Sequence, residues 1–97
     1  MARAHDEWRV LRHGSIEKLE DNLWTVTGSL PGMSLKRVMT VARLEDGDLV
    51  VHSAIALDED GMSEIEGWGR PAFLLVPNAY HRLDAPAYVA RYPDLRV

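Results

Sequence analysis

The stretch from Leu49 to Val76 constrains the fold more than any other part of the chain. It begins with one apolar run, Leu49–Ile55, and ends with a second, Ala72–Val76. Between the two runs the sequence predicts a helix. Asp58 suits its N-cap, and apolar side chains recur at helical spacing at Leu57, Met62, Ile65 and Trp68. Strand, helix and strand in this order predict a βαβ unit, in which the two strands are parallel. The domain is therefore expected to be α/β.

Two further strand regions precede this unit. Residues 15–27 predict a strand pair or a bent strand, with a turn at Asp21-Asn22. Lys36–Leu44 predicts another strand, and Asp46-Gly47 then indicates a hairpin that returns through Leu49–Ile55. These signals place a hairpin directly before the βαβ unit in one mixed sheet.

The return strand Leu49–Ile55 is apolar at nearly every position. A strand that is apolar on both sides is typical of a sheet buried on both faces. His52 is its only ionisable residue, and we interpret it as a hydrogen-bonded core histidine, with support of a metal ligand as the alternative. The pattern predicts that this strand lies in the middle of a layered sheet.

Length and composition favour a single domain. The chain has 97 residues, of which 46% are hydrophobic, and we expect a flexible or loosely docked arm at 1–14 followed by one domain at 15–97. A net charge of −4 excludes the basic surface typical of nucleic-acid binding, and no apolar run is long enough for a membrane span. No hydrophobic leader is seen, so a bacterial cytoplasmic setting is expected.

The loop after the last strand carries the candidate site. Asn78, His81 and Asp84 follow Pro77, where an α/β sheet usually holds ligands, and Tyr80 beside His81 could line a pocket. Since the chain has no cysteine, a metal would need His, Asp, Glu or Asn ligands. Each residue also has a structural interpretation: a backbone-bonded loop histidine, an Asx-turn for Asn78, and the cap of a second helix for Asp84.

Three segments of the sequence together resemble the N-terminal half of the metallo-β-lactamase superfamily. They are Asn22-Leu23-Trp24-Thr25-Val26, the stretch from Asp46 to Ser53, and Val76-Pro77-Asn78-Ala79-Tyr80-His81. The similarity spans about 15–97 and is greatest to a lactamase-like bacterial domain of unknown function with an altered metal motif. It implies half of an αββα sandwich, a mixed sheet with a hairpin followed by a βαβ unit and a short helix.

The loop departs from the family's metal motif, H-x-H-x-D-H. The ligand positions are filled by Asn78, Tyr80, Arg82 and Leu83. His81 lies one place out of register, and Asp84 lies two places beyond the expected aspartate. We therefore expect no cofactor and a binding or structural module with a degenerate metal site. The alternative is a zinc- or iron-dependent hydrolase with His81 as principal ligand, assisted by Asn78 and Asp84.

The resemblance also bears on assembly. Half of a two-sheet sandwich leaves an apolar sheet face or edge uncovered, which a lone domain does not readily tolerate. The predicted partner is therefore a second copy in a C2 homodimer, or else a missing C-terminal half. Neither nucleic acid nor a membrane is an expected partner.

Overall fold

A computed structural model describes residues 7–30, 32, 34, 36–77 and 83–97. Five strands form one sheet: β1 (Glu17–Glu20), β2 (Leu23–Ser29), β3 (Lys36–Arg43), β4 (Asp48–His52) and β5 (Arg70–Leu75). The two helices are α1 (Glu59–Trp68) and α2 (Ala85–Arg91). Strands β1 to β4 pair antiparallel in sequence order, whereas β5 runs parallel to β4. The prediction of a small mixed α/β domain with a hairpin followed by a βαβ unit is confirmed.

The hairpin between β3 and β4 forms where the Asp-Gly signal predicts it. Gly47 has φ 90°, a conformation that glycine adopts without the strain a Cβ would cause. The amide of Leu44 donates to the carbonyl of Asp48 at 2.8 Å and closes the turn. This turn sets the register that places Val41 opposite Val51.

Strand β4 ends at His52, so the prediction that it continues to Ile55 is wrong. Ser53 has φ 61°, the left-handed region, which turns the chain out of the sheet. The residues after it, 54–57, leave the strand and pack inside the core, each at most 2% exposed. An apolar run therefore indicated burial correctly but not the length of the strand.

Helix α1 begins directly after Asp58, the predicted N-cap. Oδ1 of Asp58 accepts from the amide of Gly61 at 2.8 Å, which caps the first turn. Met62 and Ile65 are the buried residues of the helix, and each contributes about 1.5–3 kcal/mol by leaving water. The helix ends at Gly69, whose amide donates to the carbonyl of Ile65.

Both helices pack against the same face of the sheet. Strand side chains that alternate toward this face form one cluster with Met62 and Ile65 of α1 and Tyr88 of α2. The strand members of the cluster are Trp24, Val26, Met39, Val41, Leu49, Val51 and Leu74. Within the described ranges, neither helix is long and apolar enough to cross a membrane.

The other face of the sheet, which we call the open face, is only partly buried. It is formed by the alternate side chains of β2 to β5, namely Leu23, Thr25, Thr27, Ser29, Lys36, Val38, Thr40, Ala42, Asp48, Val50, His52, Arg70, Phe73 and Leu75. Val38 is 47% exposed and Leu75 is 51% exposed. The expectation that β4 is buried on both faces is thus wrong for the part of the chain that the structure describes, and His52 is half-buried rather than a core residue.

The described part of the N-terminal arm, 7–14, lies against the domain. Nε1 of Trp8 donates to the carbonyl of Leu57 at 2.9 Å, and its ring lies 4.9 Å from the ring of Tyr88. Further along, His13 bridges to Gly28 at the end of β2. The arm thus adds an aromatic side chain to the edge of the core.

The last described residues run beside β5. Arg96 forms an isolated parallel bridge with Phe73, and its amide donates to the carbonyl of Ala72 at 2.9 Å. Leu95 points the other way and joins the core at 8% exposure. The chain here extends the sheet by a single bridge beyond β5.

Replacing Tyr88 with phenylalanine should destabilise the domain by about 1–3 kcal/mol, because the buried carbonyl of Ile55 loses its donor. The Tyr88 hydroxyl donates to that carbonyl at 2.7 Å, and burial raises the pKa of the phenol well above its usual value. Urea unfolding followed by circular dichroism measures the loss. Tyr92→Phe is the control, since its hydroxyl donates to the exposed carboxylate of Glu66 and should matter less. Equal losses from both changes would contradict this assignment.

Candidate functional site

The carboxyl ends of the parallel strands β4 and β5 meet at one edge of the sheet. The amide of Ser53, just past β4, donates to the carbonyl of Leu75 at 3.0 Å. The Ser53 hydroxyl lies 3.1 Å from Nδ1 of His52. In α/β sheets this edge is where ligands are usually held. The loop that carries the sequence-predicted site leaves the sheet here.

Asn78, Tyr80 and His81, predicted as ligand-binding residues, lie outside the described residues. Asp84, the fourth member of the predicted set, is described and is fully buried at 0% exposure. The structure therefore places one of the four candidates.

Asp84 joins three parts of the fold. Its Oδ2 accepts from the amide of Ala56 at 2.9 Å, which ties the segment after β4 to the start of α2. The same oxygen lies 2.9 Å from Nη2 of Arg37 on β3. Both members of this ion pair are withdrawn from water, with side-chain exposures of 6% for Arg37 and 0% for Asp84. The pair connects β3, the chain after β4 and α2 at the candidate edge.

The structure changes the interpretation of Asp84 as a helix cap. Asp84 does occupy the N-cap position of α2, but its side chain makes no capping hydrogen bond. The opposite charge of a guanidinium buried beside the carboxylate attracts it strongly where little water screens the pair. The carboxylate is therefore directed into the fold.

Arg37 is the residue that sequence reasoning missed. Its neighbour Lys36 is exposed, whereas Arg37 alternates with Met39 and Val41 on the buried face of β3. An arginine in the apolar register of a strand is a signal for a buried partner, since unpaired charges are rarely buried. Within the described residues Nε and Nη2 of Arg37 have no hydrogen-bond acceptor, because the approach to Asp84 is ionic and poorly aligned.

The surroundings of Asp84 do not fit a metal ligand. A divalent cation on this carboxylate would lie near the Arg37 guanidinium, at a cost of about 3 kcal/mol per unit of metal charge at roughly 5 Å. Among the residues that the structure describes, no group of three or more His, Asp or Glu side chains could hold a metal ion. In the described part of this edge, the Asp84 carboxylate is therefore the partner of Arg37 in an ion pair.

A separate cleft of about 360 Å³ lies beside the N-terminus of α1. Its lining includes His13, Asp58, Asp60 and Glu64. Nδ1 of His13 lies 2.8 Å from the carbonyl of Gly14, and its Nε2 accepts from the amide of Asp58 at 3.1 Å. Through these contacts His13 holds the arm against the helix.

Comparison with known proteins yields no relative: no protein-family model, no curated protein and no solved structure matches this chain.

Proposed function

We propose that this chain is a non-catalytic binding or structural module equivalent to the first half of a metallo-β-lactamase-like αββα sandwich, with a degenerate metal site. The resemblance of the sequence supplies the family. The order of hairpin, βαβ unit and second helix, with both helices on one side of the sheet, is compatible with such a half.

One observation carries the proposed lack of catalysis. Asp84 could assist His81 in holding a metal only if its carboxylate were available to a cation. Its Oδ2 instead contacts Arg37 and the amide of Ala56, and the residue is fully buried. Removing a carboxylate from such a pair leaves a buried charge uncompensated, which gives Asp84 a structural task.

Metal analysis tests the proposal directly. Protein purified without chelator is expected to contain zinc, iron and manganese well below one equivalent per chain, as measured by plasma mass spectrometry. Equilibration with each metal followed by desalting should leave the content unchanged, because one register-shifted histidine is a poor site.

His81→Ala serves as the matched variant, since it removes the candidate ligand and leaves the Arg37–Asp84 pair intact. It should have the same metal content as the unchanged protein. A near-stoichiometric metal that disappears in His81→Ala would overturn the proposal in favour of the metal-dependent hydrolase.

A further inference from the structure

The open face has the composition of a contact surface. A sheet with one face in water normally alternates apolar residues inward with charged and polar residues outward. Between the strand ends, the inner strands β2, β3 and β4 place no Asp, Glu, Lys or Arg on the open face. Leu23, Val38, Val50, Phe73 and Leu75 stand there among threonines, all of them partly or well exposed. Exposed apolar side chains on a sheet face with this composition are typical of an interaction site.

The charged residues of this surface lie at its borders. At the end where β4 and β5 begin, Asp48 and Arg70 pair with each other at 3.1 Å, so that end has no unbalanced charge. The two outer edges of the sheet carry opposite signs. On β1, Glu17 pairs in register with Thr25 and Glu20 pairs with Leu23, so both acids border the open face. At the other edge Arg96 pairs with Phe73. Pairing through β2, β3, β4 and β5 places Glu20 and Arg96 in one row across the sheet.

We propose that the open face binds the open face of a second copy of this chain, with a twofold axis in the interface and parallel to the strands. This proposal names the partner of the structural module proposed above and rests on that function. Rotation about such an axis places β1 of one copy over β5 of the other. The outcome is a four-layer assembly of helices, sheet, sheet and helices.

Charge complementarity selects this axis. Rotation about this axis places the acidic edge of one copy, with Glu17 and Glu20, over the basic edge of the other copy, with Arg96. The same contact occurs twice in each dimer. A twofold axis across the strands would instead place β1 over β1 and oppose acid with acid. Lys36, at the first position of β3, meets its own copy near the end of the axis, where a long exposed side chain reaches water.

The area is sufficient for a reversible dimer. Five strands spaced about 4.8 Å apart, each contributing about 20 Å of length, give a face of roughly 24 Å by 20 Å. Two such faces together bury about 1,000 Å², which is near the lower limit for a specific interface. We therefore expect a dissociation constant in the micromolar range, with monomer and dimer both populated.

Sedimentation equilibrium of the full chain over a concentration series is the primary test, and a monomer–dimer equilibrium is expected. Val38→Glu should weaken the dimer at least about 100-fold, because it places two carboxylates face to face at the axis. Val89→Glu is the control, since Val89 is exposed to a similar extent, at 41%, but lies on α2 away from the open face. Circular dichroism verifies that both variants are folded.

Charge exchange tests the orientation. Glu20→Arg and Arg96→Glu should each weaken the dimer by about threefold to tenfold, and the double exchange should restore it. A chain that stays monomeric at several hundred micromolar, or a dimer that is indifferent to Val38→Glu, overturns the proposal. Failure of the double exchange to restore binding overturns the proposed axis. Metal content is measured independently. A monomer that binds metal would contradict the proposed function, whereas a metal-free monomer would contradict only the dimer.

Discussion

Replacing Asp84 with alanine should destabilise the domain by about 3–5 kcal/mol, the largest loss we expect from any single change at the candidate edge. The change leaves the Arg37 guanidinium buried without its counter-charge and removes the acceptor of the Ala56 amide. For a domain of this size, whose total stability is about 5–15 kcal/mol, the loss is a large fraction of the free energy of unfolding. Urea unfolding monitored by tryptophan fluorescence measures it.

Two further variants identify the cause. Asp84→Asn keeps an acceptor for the Ala56 amide and removes only the charge, so it should recover part of the loss. Removing both charges, as in Arg37→Met with Asp84→Leu, should be less damaging than Asp84→Ala alone, because no buried ion remains. If the double variant lost the sum of the two single losses, the two residues would not act as a pair.

Gly69→Ala should destabilise the domain by about 3 kcal/mol, near the upper end of what overpacking usually costs. A Cβ at this position would overlap the backbone carbonyl of Gly47 and would lie 2.6 Å from Cδ2 of Leu49. Gly69 has extended backbone, with φ −174°, so its requirement for glycine is steric. The clash involves the carbonyl that also accepts from the Arg70 amide, and the chain there cannot move without loosening β5 from the hairpin.

Gly67→Ala is the matched control for this prediction. It lies two residues earlier, inside α1, and an added Cβ would meet nothing within 4 Å. Alanine is a better helix former than glycine, so this variant should gain up to about 1 kcal/mol. Thermal unfolding of the two proteins side by side measures the contrast. Similar melting temperatures for the two variants would contradict the close packing described here.

The parts of the fold that the sequence predicted depend on short-range signals. The Asp46-Gly47 turn, the capping position of Asp58 and the apolar spacing of Met62 and Ile65 each involve residues within a few positions of one another. Such signals determine where elements begin, turn and end, and for that reason the hairpin and the βαβ unit were predicted correctly.

The contacts that the sequence could not reveal connect distant residues. Trp8 bonds the carbonyl of Leu57 across 49 residues, and Arg37 reaches Asp84 across a comparable separation. No local pattern associates these pairs. The apolar run that includes His52 was similarly ambiguous, since it indicates low polarity but does not distinguish a covered sheet face from an exposed one. Of the four residues predicted for the candidate site, only Asp84 lies in the described part of the chain. The sequence suggested a ligand or a helix cap, whereas the structure shows a buried partner of Arg37.

The order of the strands has a consequence for how the chain folds. Among the described strands, each of β2 to β5 pairs with the one before it in sequence, so the sheet grows from neighbours, and the crossover from β4 to β5 passes through the ten residues of α1. Little entropy of loop closure opposes the pairing of strands that follow one another in the chain. During synthesis, the strand that each new strand pairs with has already been synthesised. We therefore expect the antiparallel strands β1 to β4 to pair before β5 is added.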